Sequence, residues 1–248
     1  MVEKSIVDAH AGRVLQSVAK FESEVGKVAD ELVDGMTQLL LAPGLKANRL
    51  GRLSEVGDAF ERSLARSTYR SLAIAFSENL VYQLDEFRDM FPELVGEGGV
   101  RLDDADFDIL TEQGAAAAEA LAGFPGKITS DVRQFLAGAR DLKTREVVSG
   151  ISKTIGKLRQ VGPIARDQTM IFYRTVGELH HKKMEAWGDT IRYAYVGRTT
   201  NSTREFCRSL IGEKRFSRKD VEQLENGQVP GVRYNGGGRS CMHYWVVA

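Results

Sequence analysis

Between residues 7 and 39, ten small or apolar residues recur at alternating intervals of four and three: Val7, Ala11, Val14, Val18, Phe21, Val25, Val28, Leu32, Gly35 and Leu39. That spacing places them on one narrow stripe of a helix, with charged residues around it. A helix over residues 3–41 is about 58 Å long at the α-helical rise, and Pro43-Gly44 stops it. A stripe so long and narrow demands a helical partner. The next segment offers one. Residues 47–90 read as helix, with Leu53, Val56, Phe60 and Leu64 on one stripe and Leu80, Leu84, Phe87 and Phe91 on a second. Phe91-Pro92 and Gly96, Gly98 and Gly99 end it. The expectation is a long antiparallel N-terminal helical hairpin. The alternative is a seam that meets another chain.

Four aspartates follow, Asp103, Asp104, Asp106 and Asp108. The glycine and final glutamate of a calcium loop are missing, so a solvated helix N-terminus is expected instead. The helix closes at Gly123-Phe124-Pro125-Gly126, which reads as a hinge. Three more helices are expected over 129–142, 143–160 and 163–187, with Pro163 in the first turn of the last. The period then changes. Residues 191–196 alternate as a strand does, and Val232–Tyr234 and Met242–Val247 are further strand candidates. Short helices are expected over 203–211 and 217–224, capped by Ser202 with Glu205 and by Ser217 with Asp220. The fold class is therefore mostly α with a small C-terminal α+β domain. The segments are a helical body over 1–125, a helical connection over 126–188 and a small α+β domain over 189–248.

No apolar run is long enough to span a bilayer, and Met1–His10 lacks the apolar core of a secretory signal. Two cysteines do not make a secreted disulfide framework. A reducing cytoplasm is the expected place of synthesis, and no membrane partner is expected. The net charge of zero hides an asymmetry: residues 1–120 hold 12 Lys and Arg against 22 Asp and Glu, and the remainder holds 22 against 12. Either the halves neutralise one another in the fold or its assembly, or they face different partners, the basic half then being the one to meet DNA.

Cys207, Cys241 and His243 are three soft ligands close to the C-terminus. A structural zinc site wants four ligands, commonly as two closely spaced pairs. These residues either hold zinc or are two buried sulfurs and a hydrogen-bonded histidine. His180 and His181 are the remaining candidates, as a nuclease's general base with Arg174 or Arg198 on phosphate. Adjacent helical residues diverge by about 100°, so an exposed His-His-Lys-Lys face is the expectation. Tyr193, Tyr195, Arg198, Arg204 and Arg208 interleave aromatic and basic groups, as a single-strand DNA surface would. Their alternative is a half-buried strand beside a solvated basic helix. No phosphate-binding loop, zinc-protease or serine-hydrolase motif is present.

Taken in order, the strand ending at Tyr195-Val196-Gly197, Thr203-Arg204-Glu205-Phe206-Cys207, Asn226-Gly227-Gln228, Gly236-Gly237-Gly238 and Cys241-Met242-His243-Tyr244-Trp245 resemble the C-terminal domain of tailed-phage minor head proteins, the Mu F-type head-morphogenesis family. The resemblance covers about residues 165–248. Glu205 and Met242 stand where family members often carry Pro and Arg. The resemblance implies a virion protein near the portal vertex, acting in head assembly and genome packaging or delivery without catalysis. Its implied partners are the portal or major capsid protein, in a homo-oligomeric ring or several copies per particle. The alternatives are a DNA-binding protein ejected with the genome, or a nuclease- or toxin-like enzyme domain.

Overall fold

Helix α1 runs unbroken over Lys4–Leu41 in a computed structural model that describes residues 4–42, 49–82, 102–186, 191–212 and 214–248. Val14, Val18, Phe21, Val25, Val28 and Leu32 are each at most 4% exposed. Beyond Leu32 the buried stripe changes register. Met36 and Leu40 are buried, whereas Gly35 is half-buried and Leu39 is 40% exposed. A straight helix drifts by about 20° per heptad against a strict 3.5-residue repeat, so the inward positions move along by one. The side chains of Val7 and Ala11 lie outside the described residues.

The helix expected over 47–90 is two helices, α2 (Arg49–Arg66) and α3 (Tyr69–Tyr82). Ser67 sits at the break, donating from its hydroxyl to the Leu64 carbonyl at 2.6 Å and accepting from the Tyr69 N–H. Such local bonds compete with helix continuation. Leu84, Phe87 and Phe91 lie outside the described residues. Phe21 packs on Phe76 and Tyr69, with ring centroids 4.8 and 6.5 Å away, as an antiparallel hairpin requires. From Val14 to Leu32 the seam is therefore buried inside its own chain and is not open to another.

Helix α4 spans Asp104–Gly138 and continues unbroken through Pro125, where the sequence suggests a hinge between two helices. Proline supplies no N–H for the carbonyl four residues back, that of Leu121. The Tyr69 hydroxyl donates to that carbonyl instead, at 2.8 Å, with both groups buried. The broken bond is replaced from another helix, and the chain need not bend. At the start of α4 the aspartates cap: Asp103 accepts from the Asp106 N–H at 3.1 Å and Asp106 from the Asp103 N–H at 2.8 Å. Helix α5 (Thr144–Ile155) passes through a 3₁₀ turn, Gly156–Val161, into α6 (Gly162–Ala186).

The chain packs as two compact units interleaved along the sequence, one of Met1–Val18, Ser77–Ala117 and Pro163–Ala248, the other of Ala19–Phe76 and Ala118–Gly162. The first contains the α+β elements. Strands β1 (Tyr193–Val196) and β2 (Tyr244–Val247) pair antiparallel with Tyr195 opposite Trp245. Helices α7 (Glu205–Leu210), α8 (Arg218–Glu222) and α9 (Val232–Asn235) surround them. Val232–Tyr234, expected as a strand, is this single helical turn. It follows Gly231 in the left-handed region, and the Arg174 guanidinium holds the Tyr234 carbonyl. The Ser217–Asp220 capping box forms. The Ser202–Glu205 box does not, because α7 begins two residues later, after Arg204. No helix among the described residues is long and apolar enough to cross a membrane.

Replacing Tyr69 by Phe should cost about 1–3 kcal/mol in urea unfolding, the penalty of a buried carbonyl left without a donor. Adding Pro125→Ala, which restores the helical N–H, should return most of that loss. Equal losses in the single and double variants would show that the Tyr69 hydroxyl is not what carries α4 through Pro125.

Candidate functional site

The C-terminal domain has an aromatic and sulfur core: Tyr193, Tyr195, Cys207, Leu210, Val221, Val232, Cys241 and Trp245, with Phe206 and Phe216 against it. Strand β1 brings Tyr195 in, α7 brings Cys207, and the segment before β2 brings Cys241 and His243. All three candidate ligands are buried, and their ligand atoms lie within 4.8 Å of one another. The sulfurs are 3.8 Å apart and free, well beyond the roughly 2.05 Å of a disulfide. The Nδ1 atom of His243 is 3.5 Å from Cys241 Sγ, and the His243 ring stacks on Tyr195. The Tyr195 hydroxyl lies 3.3 Å from Cys241 Sγ and 3.9 Å from Cys207 Sγ.

Two of the three glycines make room for these sulfurs, and the third, Gly238, makes room for the Gln228 side chain. The Gly237 N–H donates to Cys241 Sγ at 3.1 Å, and a Cβ at Gly237 would fall inside the radius of Cys207 Sγ. Gly236 has a φ of 52°, and a Cβ there would stand 3.0 Å from Cys241 Sγ and 2.8 Å from an Arg174 nitrogen. The Cys207 thiol, hydrogen-bonded to Cys241, holds the Cys241 thiol well below its ordinary range against the effect of burial, with His243 and Arg174 adding to the lowering. The same bond, together with burial, pushes Cys207 up.

Arg174 fixes the loop that carries them. From α6 it donates to the carbonyls of Tyr234 at 2.9 Å, Cys241 at 2.5 Å and His243 at 2.9 Å. It is buried, with four of its N–H bonds directed at these carbonyls, contrary to the phosphate-binding role considered for it from the sequence. Arg204 donates to the Gly237 and Arg239 carbonyls, and Arg208 to those of Thr200 and Asn201. Tyr193 and Tyr195 are fully buried, so neither offers a face to a base. The half-buried strand is corrected too, since Tyr193, Ala194 and Tyr195 are all inside.

His180 and His181 are also buried, not an exposed face. His181 packs against Tyr193 with ring centroids 5.0 Å apart. Burial, with Arg233 beside it, pulls its pKa down to about 3. Lys183, two residues further along that helix, pairs with Asp103 and Asp106. Among the described residues the metal-competent cluster is Cys207, Cys241 and His243, and neither histidine of α6 belongs to it.

Sequence reasoning missed Glu178. It is 4% exposed and accepts from Arg233 and Arg218, while Arg218 also pairs with Glu185 at 2.6 Å. Arg174 and Glu178 stand four apart on α6, which reads as an ordinary surface pair. Only the fold shows that each is spent inside, on different partners. A cleft of about 360 Å³ opens on the cluster and is lined by Cys207, Cys241, His243, Arg166, Arg198 and Arg204, among others.

Two outcomes check this description. Gly237→Ala should destabilise the fold by about 1–3 kcal/mol through overpacking, read by chemical denaturation. His181 takes up a proton near its ordinary pKa when unfolded but only near 3 when folded, so acid favours the unfolded chain. Stability should fall by about 2 kcal/mol from this residue between pH 6.5 and 5, and His181→Phe should flatten that part of the profile. A slope unchanged in the variant would show that His181 is protonated in the fold. No family model, curated protein or solved structure matches this chain.

Proposed function

We propose that this chain is a structural minor head protein of a tailed phage, held near the portal vertex and acting in head assembly and genome packaging or delivery rather than in catalysis. One observation supports the reading: the ordered residues that carry the family resemblance meet in one place and are used on one another. The Asn226 side chain donates to the Gly236 carbonyl and accepts from the Gln228 and Val229 N–H groups. Gln228 accepts from the Arg239 N–H. Arg204 clamps the Gly237 and Arg239 carbonyls, Gly236–Gly238 pass beside the two sulfurs, and Trp245 packs on Tyr195 and Phe216. Such a set specifies a module, as a protein whose work is to be placed requires.

A partner contact no longer has the α1 seam to draw on, since Val14–Leu32 are buried. Contact with portal, capsid or a neighbouring copy falls to the outer, charged faces.

The test is the particle. Phage heads assembled with a tagged copy of this chain should hold it in few copies at one vertex, and heads emptied of DNA should retain it. Its departure with the genome would replace this reading with that of an ejected DNA-binding protein. Metal-dependent cleavage of DNA by the purified chain, lost in a folded His180 or His181 variant, would replace it with an enzyme.

A further inference from the structure

We propose that Cys207, Cys241 and His243 bind one zinc ion, with the fourth coordination position open to the arginine-lined cleft. The inference is independent of the head-protein reading, because it rests on distances within the domain.

A tetrahedral zinc ion with Zn–S near 2.3 Å and Zn–N near 2.0 Å sets its ligand atoms about 3.8 Å apart for two sulfurs and about 3.5 Å apart for sulfur and nitrogen. Cys207 Sγ and Cys241 Sγ are 3.8 Å apart, and Cys241 Sγ and His243 Nδ1 are 3.5 Å apart. Two edges of the ligand triangle therefore already have the length a zinc ion imposes. The third pair lies within 4.8 Å, so a closure of about 1 Å completes a face of the tetrahedron. Those two lengths are also ordinary van der Waals contacts of sulfur, so what points to a metal is that three soft ligand atoms converge at the mouth of one cleft.

The surroundings suit a metal thiolate. The Gly237 N–H points at Cys241 Sγ, a backbone hydrogen bond that steadies a ligating sulfur as outer partners of metal ligands do. Three protein ligands leave one position of zinc free, as in sites where the metal holds a water or an exogenous group. Two thiolates neutralise the ion, so the charge of the site comes from its walls. Arg166, Arg198 and Arg204 line the cleft together with the three ligands, and the buried Nε of Arg166 has no acceptor. The group that suits the fourth position is therefore a small anion or hydroxide.

The full-length chain, purified under reducing conditions with its affinity tag removed, is dialysed against zinc and then against metal-free buffer. Mass spectrometry of the metal should find one zinc per chain. No retained zinc overturns the site. Cobalt substituted for zinc should give the sulfur-to-metal charge-transfer band and the intense visible bands of a tetrahedral thiolate site. Azide should shift those visible bands. Bands that azide leaves in place overturn the open position. His243→Gln and Cys207→Ser, checked for folding by circular dichroism, should each reduce retained zinc to background. Retention of a full equivalent by a folded variant of either residue places the metal elsewhere and overturns the assignment.

Discussion

The small domain depends on one buried guanidinium. Arg174 reaches from α6 to three carbonyls on the segment 234–243, a stretch with little regular structure of its own. Backbone carbonyls inside a protein need donors, and here no strand partner is available to provide them. Burial pulls the Arg174 guanidinium below its ordinary pKa, while the negative character of Cys241, Tyr195 and Asp167 opposes that loss. A charge in such a place is tolerated because its donors are satisfied. Removing it would leave three carbonyls unpaired and free the loop that sets Cys241 and His243 against Cys207. The position of Cys241 thus follows in part from a residue on α6.

The two kinds of packing in this chain differ accordingly. Along α1, apolar side chains 14 to 32 are interchangeable in kind, and their energy scales with the area they bury. In the terminal domain the core is aromatic and polar at once: Tyr195 stacks on His243 and touches both sulfurs, and Tyr193 meets His181 on one side while its hydroxyl donates to Glu185 at 2.5 Å. The Arg233 guanidinium lies 5.0 Å from the Tyr193 ring centre and binds Glu178. Such networks specify one arrangement and tolerate few others.

This difference decides what could be read from the residues alone. The α1 helix and its buried stripe were legible because helical periodicity is local, and among the described side chains the stripe failed only at Gly35 and Leu39, where helical drift accumulates. The pairing of Ser217 with Asp220 was legible for the same reason. Pro125 was not, because the donor that replaces its missing N–H is Tyr69, far away in sequence. His180 and His181 looked exposed beside two lysines, yet both are buried, His181 against Tyr193 of a strand that the local pattern of the helix does not show. At the candidate site, the convergence of Cys207, Cys241 and His243 was suggested by residue type and spacing. Arg174, which makes the convergence possible, carried no local sign, since an arginine four residues before a glutamate is commonplace on a helix surface.

The opposed charges of the two halves of the sequence have an internal use. Arg133 pairs with Asp58 and Glu61, Arg159 with Asp30, and Lys183 with Asp103 and Asp106. In each case a basic residue of the later half meets acids of the earlier one, within a single compact unit. Most of these partners are solvent-exposed, so each pair adds little to stability, about 0–1 kcal/mol. Their effect is on the field. Residues that give the halves opposite signs stand side by side, and at distances beyond a Debye length of about 8 Å such pairs largely cancel. At these places, charges that give the two halves of the sequence opposite signs are matched locally, residue against residue, and not as two separate fields.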